Sequence, residues 1–558
     1  MEEIRIGVFV CNCGTNIAGF LDTKAVAEYS KKLPHVVFTR ENLYSCSEAG
    51  VTDIKNAIIE NKLNRVVVAA CTPRTHEPLF RASCEEAGLN PFLFEFVNIR
   101  EQDSWVHKNE WENATDKAKD LIRMGVARAA YLEPKKAIIA DVEEKALVMG
   151  GGISGLSAAL SLADRGFKVY LVEKEKELGG ILRNIYRIYP SNIDAADLLA
   201  QKIGAVKEHP KIDVFTSSEV SEVKGYIGKY QITIEHKRGK PKQLNVGVII
   251  VATGASVLVP EDMYNYDGKN VITQLELEQR LRDNSFDAQN VVMIKCVGAR
   301  VPERVYCSRI CCMTAIKNGI IIKEKNPNAK VFILYRDLMC YGDDNEELLR
   351  QAKEHGIRFV GYSLEHPPVV ENGTVNVRSS LLGKELSLES DCVVLATPII
   401  PQSGSGTVSK MLKVPLDETK FFLEAHIKLR PVDFATDGIY ICGTAHWPAA
   451  TNESVAQALG AAARASIPLT NKQVNVEPIV SMLFDEDLCR GCGMCAYLCP
   501  YGAIEMIETE KGTKAKMIEV ACKGCGVCGA TCYKRAIKMS HYTNEQIEAQ
   551  IEAAFEER

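Results

Sequence analysis

Ala146-Leu147-Val148-Met149-Gly150-Gly151-Gly152-Ile153-Ser154-Gly155 decides the fold of the central region. The apolar run predicts a strand, Leu156 to Arg165 a helix, and Lys168 to Val172 a second strand that ends in the acid Glu173. A lone G-x-G-x-x-G is weak evidence. Here strand, turn, helix, strand and an acid about 20 residues on all fall where a dinucleotide-binding fold needs them. Gly150 permits the tight turn, Gly152 lets the backbone approach a pyrophosphate at the helix N-terminus, and Gly155 lets helix and strand pack closely. Glu173 is placed to bind the adenosine ribose.

Working outward, Leu178-Gly179-Gly180 and Val251-Ala252-Thr253-Gly254-Ala255 resemble the FAD-binding signatures of the thioredoxin and glutathione reductase family. Thr436-Asp437-Gly438-Ile439-Tyr440-Ile441-Cys442-Gly443 resembles that family's late FAD motif, with Thr444 in place of the usual ribityl-binding Asp. The resemblance implies FAD rather than NAD, held by Gly150, Gly152, Gly155, Glu173, Gly179, Gly180, Thr253, Gly254, Gly443 and Thr444. The helix expected over Glu453 to Ala465 then points its positive N-terminus at the flavin pyrimidine. That family also carries a second glycine-rich turn for NADPH. The equivalent strand here, Val291 to Lys295, runs into Cys296-Val297-Gly298-Ala299-Arg300, followed by Cys307, Cys311 and Cys312. Four cysteines replace the phosphate-binding turn, and a metal cluster is the simplest account. An active disulfide and buried free thiols are the competing ones.

The chain has 558 residues, enough for several separately folded cores. With 46% hydrophobic and 25% charged residues it is neither disordered nor fibrous, and a formal charge of −5 gives no basic excess for nucleic acid or anionic lipid. No apolar stretch reaches the roughly 18 residues of a membrane helix, so a cytoplasmic protein is expected. Twenty cysteines point to metal or redox chemistry in that reducing compartment.

Eight of them lie in the tail, where C-x2-C-x2-C-x3-C occurs twice: Cys489, Cys492, Cys495, Cys499, then Cys522, Cys525, Cys528, Cys532. This is the bacterial ferredoxin run, in which the fourth cysteine ligates the other cluster. One [4Fe–4S] cluster is therefore assigned to Cys489, Cys492, Cys495 and Cys532, and a second to Cys522, Cys525, Cys528 and Cys499. Zinc is the alternative, but it prefers two C-x-x-C knuckles far apart. In the N-terminal region Cys11, Cys13, Cys46 and Cys71 follow strand-like segments, whose C-terminal ends share one edge of a parallel sheet. They either form a further cluster site or are simply buried. Cys84, Cys340, Cys392 and Cys442 read as packing residues.

The expected layout is an N-terminal α/β domain (1–138) and an FAD domain of the thioredoxin-reductase type (139–288 and 396–470). A degenerate nucleotide domain (289–395) interrupts it, and a 2[4Fe–4S] ferredoxin domain (471–540) and an amphipathic helix (541–558) follow. The Ile547, Ile551, Phe555 stripe of that helix is expected to dock on its own domain.

Ala70-Cys71-Thr72-Pro73-Arg74-Thr75-His76-Glu77-Pro78, Tyr306-Cys307-Ser308-Arg309-Ile310-Cys311-Cys312, His426-Ile427-Lys428-Leu429-Arg430-Pro431 and Glu453-Ser454-Val455-Ala456-Gln457 together resemble the HdrA family, the iron–sulfur flavoproteins of heterodisulfide reductases, over nearly the whole chain. The resemblance implies an oxidoreductase whose FAD splits an electron pair from hydrogen or formate. One electron goes to low-potential ferredoxin and the other towards a disulfide on a partner protein. It implies a third [4Fe–4S] cluster at Cys296, Cys307, Cys311 and Cys312, with a fourth possible in the N-terminal domain. Lys428 is the candidate for tuning the flavin. The implied partners are heterodisulfide-reductase B- and C-like subunits, a hydrogenase- or dehydrogenase-linked donor, ferredoxin, and a second copy of the chain. Methanogen members insert a further ferredoxin domain after the VATGA-type motif, whereas Ser256 to Asn290 holds no cysteine. Three alternatives stand beside this reading: an NAD(P)H-dependent reductase, a non-bifurcating relay in a benzoyl-coenzyme A reductase-type complex, and a docking scaffold.

Overall fold

The computed structural model describes residues 3–556 apart from Arg238, Glu477 and Phe484, and Arg74 by its backbone alone. It divides into two compact units, Met1–Ile139 with Asn475–Arg558, and Ala140–Val474.

In the first unit, four parallel strands lie in the order Val36–Asn42, Ile6–Cys11, Arg65–Ala70, Phe94–Asn98. Ile6–Cys11 and Val66–Ala70 are buried throughout, as central strands covered by helices on both faces must be. The ferredoxin tail is built as two matching halves. Each cysteine run opens a five-residue helix, Met494–Leu498 or Val527–Thr531, and the hairpin Ile504–Thr509 with Gly512–Met517 lies between them in sequence. The terminal helix, Asn544–Phe555, has the expected Thr543–Gln546 capping box; Glu557 and Arg558 lie outside the described residues. It packs on the helix Trp111–Ala130, but not through the expected stripe. Gln546 and Ala553 are buried, whereas Ile547, Ile551 and Phe555 are 40%, 52% and 85% exposed. Polar ties turn the helix this way: Gln546 Nε2 donates to Tyr131 O (3.0 Å) and Arg123 Nε to Ala553 O (2.6 Å).

The second unit holds two parallel five-stranded sheets. One runs Ile212–Phe215, Lys168–Val172, Lys145–Met149, Val248–Val251, Ile439–Ile441. The other runs Val271–Thr273, Cys392–Leu395, Asn290–Ile294, Lys330–Tyr335, Arg358–Gly361. In each, the central strands are apolar on both faces, and a turn at a strand's C-terminal end leads to a helix: Ile153–Asp164 in the first, Cys311–Lys325 in the second. Ligands of open α/β sheets bind at that edge.

Candidate functional site

At the first turn, Gly150 N donates to Val172 O (2.8 Å), and a Cβ on Gly155 would stand 1.8 Å from Gly150 O, so only glycine lets the helix approach this closely. Gly152 is different: a Cβ there meets nothing within 4 Å, and it caps the helix Ile153–Asp164 without a side chain on the first N–H groups. That open space in front of a helix N-terminus suits an anionic phosphate. Glu173 is buried, its Oε2 accepting from Gly151 N (2.6 Å) and its Oε1 from Glu175 N (2.8 Å). Each oxygen keeps a second lone pair for a ribose hydroxyl. Gly179 N donates to Gly151 O (2.8 Å), and Gly180 backs onto Gly152. Gly254 faces Thr444 Oγ1, and the buried Thr253 hydroxyl has no partner among the described residues. Gly443 packs against Ser154 at the head of the phosphate helix. An open cradle and an orphaned hydroxyl fit a dinucleotide with further polar groups, as FAD has.

Ile181, the residue after Gly180, lines a cavity of about 90 Å³ together with Tyr189, Val257, Cys311, Lys317 and Thr451 among others. Thr451 begins the helix Thr451–Asn471, which spans the predicted one and extends beyond it. Lys317 is buried, pairs with buried Glu278 and donates to Arg187 O (2.8 Å). Burial draws its ammonium below the ordinary lysine range, against the pull of Glu278. Sequence reasoning missed this pair, although a lysine between Ile316 and a run of three isoleucines on a helix was a usable signal. Lys428 lies exposed in the turn His426–Arg430.

The second turn spends most of its N–H groups on the protein itself. The N–H groups of Val297, Ala299 and Arg300 donate to Ala396 O (3.2 Å), Cys296 O (3.2 Å) and Tyr306 O (3.3 Å). The carbonyls of Ala299 and Arg300 accept from Arg336, and that of Gly298 from Arg304. A phosphate loop needs free N–H groups. Cys296 (φ 59°) follows the strand, and Cys311 and Cys312 open the helix Cys311–Lys325. Cys311 feels the charges of Cys296, Cys307 and Cys312, and burial pushes its thiol up to about 12. Backbone N–H groups point at two of the sulfurs: Arg309 N at Cys307 Sγ (3.3 Å) and Met339 N at Cys312 Sγ (3.2 Å). Such N–H···S bonds and a helix N-terminus favour thiolates, so the donor set fits an iron–sulfur cluster. Cys340, read as packing, is half-buried within electrostatic reach of Cys312.

In the tail, Cys495 lies near Cys489 and Cys492, whereas Cys528 lies near Cys522 and Cys499. The first run's fourth cysteine thus stands beside the second run. Cys499 Sγ accepts from Ala503 N (3.2 Å) and Cys532 Sγ from Ala536 N (3.3 Å), the same offset in both halves. Tyr501 sits beside Cys525, and cysteines of both runs, Cys489, Cys495, Cys499, Cys528 and Cys532, share one small core. Among the described residues no three His, Cys, Asp or Glu side chains converge on a point suited to a single metal ion.

In the N-terminal domain, Cys13 lies near Cys11 and Cys46, and Cys71 near Cys11 and Cys13. Cys11 ends its strand, and Cys13, Cys46 and Cys71 follow the C-terminal ends of theirs, with Arg100 acting on Cys13, Cys46 and Cys71. Arg100 was not foreseen; it pairs with Glu101 (2.8 Å) and lies 4.6 Å over the Trp105 ring.

The pyridine nucleotide-disulphide oxidoreductase family matches residues 144–301, and the 4Fe-4S binding domain matches residues 482–505. The thioredoxin reductase of T. acidophilum, 19% identical, aligns with 59% of this chain and 99% of its own at a TM-score of 0.41. The HdrA-type subunit of the H(2):CoB-CoM heterodisulfide,ferredoxin reductase of Methanothermobacter thermautotrophicus is 41% identical, over 100% of this chain and 98% of its own. Its counterpart in the H(2)/formate:CoB-CoM heterodisulfide,ferredoxin reductase of Methanococcus maripaludis is 35% identical, over 99% and 98%. The two domain matches make this an oxidoreductase with an FAD fold of the pyridine nucleotide-disulphide oxidoreductase family and a [4Fe–4S] ferredoxin domain, built to transfer electrons. With relatives this similar over its full length, the chain belongs to the HdrA family of heterodisulfide reductase subunits.

Proposed function

We propose that the chain is the flavin subunit of a heterodisulfide-reductase-like complex, taking electrons in pairs and passing them on singly, in bifurcation or its reverse. FAD, when bound, supplies exchange of both one and two electrons. The observation that carries the reading is the place of Cys311, which belongs to the four-thiol group and also lines the cavity reached by Ile181, next to Gly180 of the flavin cradle. A cluster there would meet the flavin directly, in the position where related reductases bind nicotinamide.

The cluster sites of the proposal are the two tail sets, Cys296 with Cys307, Cys311 and Cys312, and the four converging N-terminal cysteines. The domain layout is proposed as expected from the sequence. Partners are inferred from the relatives' names, which speak of ferredoxin, hydrogen and formate. Those names support ferredoxin and a hydrogenase- or dehydrogenase-linked donor; heterodisulfide-reductase B- and C-like subunits and a second copy of the chain are proposed from the family resemblance alone. The alignment with the Methanothermobacter protein runs over 657 positions against 558 residues here, which supports the reading that an inserted ferredoxin domain is missing. No described helix is long and apolar enough to cross a membrane.

Stopped-flow mixing tests the reading. Reduced ferredoxin should bleach the flavin, and NADH and NADPH should leave it oxidised, because the second turn offers them no phosphate loop. Rapid bleaching by either nucleotide would instead establish an NAD(P)H-dependent reductase. The flavin potential of Lys428→Ala, recorded alongside, reads whether Lys428 tunes the ring.

A further inference from the structure

Lys295 follows the strand Asn290–Ile294 and immediately precedes Cys296. Its side chain is fully buried, and its ammonium has no hydrogen-bond partner among the described residues. The backbone around it is fixed: Lys295 N donates to Leu334 O (3.0 Å), and the Tyr362 hydroxyl donates to Lys295 O. A lone ammonium taken out of water loses its hydration, and in a folded interior such a charge is paired or bound to something of opposite sign. Two carboxylates of the same domain are engaged elsewhere. Asp337 pairs with Arg300 (2.6 Å), and Glu278 with Lys317. What Lys295 does face is sulfur, for its charge acts on Cys311 and on Cys340.

A [4Fe–4S] core held by four thiolates is a dianion when oxidised and a trianion when reduced. We propose that Lys295 is the built-in counter-cation of a cluster on Cys296, Cys307, Cys311 and Cys312, and that it raises that cluster's reduction potential. This rests on the reading that those four thiols carry a cluster. A fixed cation in a dry site stabilises the more negative, reduced state more than the oxidised one. The step it favours moves one electron from the flavin into the cluster core, and Lys295 itself is chemically unchanged. A raised potential makes this cluster an acceptor on the higher-potential branch, towards the disulfide on the partner rather than towards ferredoxin.

The test is potentiometric reduction of the anaerobically purified full chain, followed by EPR, with iron and flavin assayed on each sample. Cys311→Ala identifies the cluster, by the signal and the iron that it removes. In Lys295→Met the same signal should survive with its midpoint moved to lower potential, by at least tenfold in the oxidised-to-reduced ratio, or about 59 mV for one electron. Lys295→Gln should shift it in the same direction. Loss of that cluster's iron alone in both variants, with flavin and melting temperature retained, carries the same conclusion, since the dianion then has no cation to hold it. An unchanged midpoint with the signal intact would overturn the role of Lys295 and leave the cluster standing. Equal iron and identical signals in wild type and Cys311→Ala would overturn the cluster reading, and this proposal with it.

Discussion

Replacing Gly152 by valine should yield a folded protein that purifies without flavin. Gly152 has φ −74° and ψ −179°, a conformation any residue adopts, and a Cβ there touches nothing within 4 Å. The substitution therefore costs the apoprotein little. The same side chain fills the space in front of the helix N-terminus, where a pyrophosphate must come close to the backbone. Gly155→Val is the contrasting case, since its Cβ would stand 1.8 Å from Gly150 O and the turn itself would have to move. Flavin absorbance and melting temperature, measured on both variants, separate the two effects: Gly152→Val loses the colour and keeps its stability, and Gly155→Val loses both. A stable Gly152→Val protein with full flavin would place the dinucleotide elsewhere.

The second large effect concerns which cysteine serves which cube. If the fourth cysteine of each run crosses over, Cys495→Ala and Cys499→Ala damage different clusters, although only Ala496, Tyr497 and Leu498 separate them in sequence. The double variant should then alter both ferredoxin-domain EPR signals. Were each run to hold its own cube, the double variant would alter one signal only. The proximity of Cys499 to Cys528 favours the crossed arrangement.

The parts of this architecture written in the sequence are those set by local spacing. The phosphate turn needs three glycines, a helix and an acid at fixed offsets, and Lys145–Met149, Ile153–Asp164 and Lys168–Val172 form where that pattern puts them. The ferredoxin runs are equally local: Gly491 and Gly493, like Gly524 and Gly526, take the left-handed conformation that winds each loop round one face of a cube. Features that depend on distant partners were not legible. The strand Val36–Asn42 is edge-placed and polar, so its periodicity is weak. The Lys317–Glu278 pair, the unpaired Lys295 and Arg100 among the N-terminal cysteines all require knowing which segments meet across the fold. The terminal helix shows the same limit: its hydrophobic stripe was plain, yet its orientation follows from hydrogen bonds to Arg123 and Tyr131, more than 400 residues earlier.

The central claim is that one chain holds a flavin and a set of iron–sulfur clusters between which electrons pass. Iron, acid-labile sulfide and FAD, assayed together on the anaerobically purified chain, test it most directly. About one FAD with about eight to sixteen irons and matching sulfide is expected, the lower figure coming from the tail alone. Fewer than about eight irons, or no flavin in a folded preparation, would contradict it.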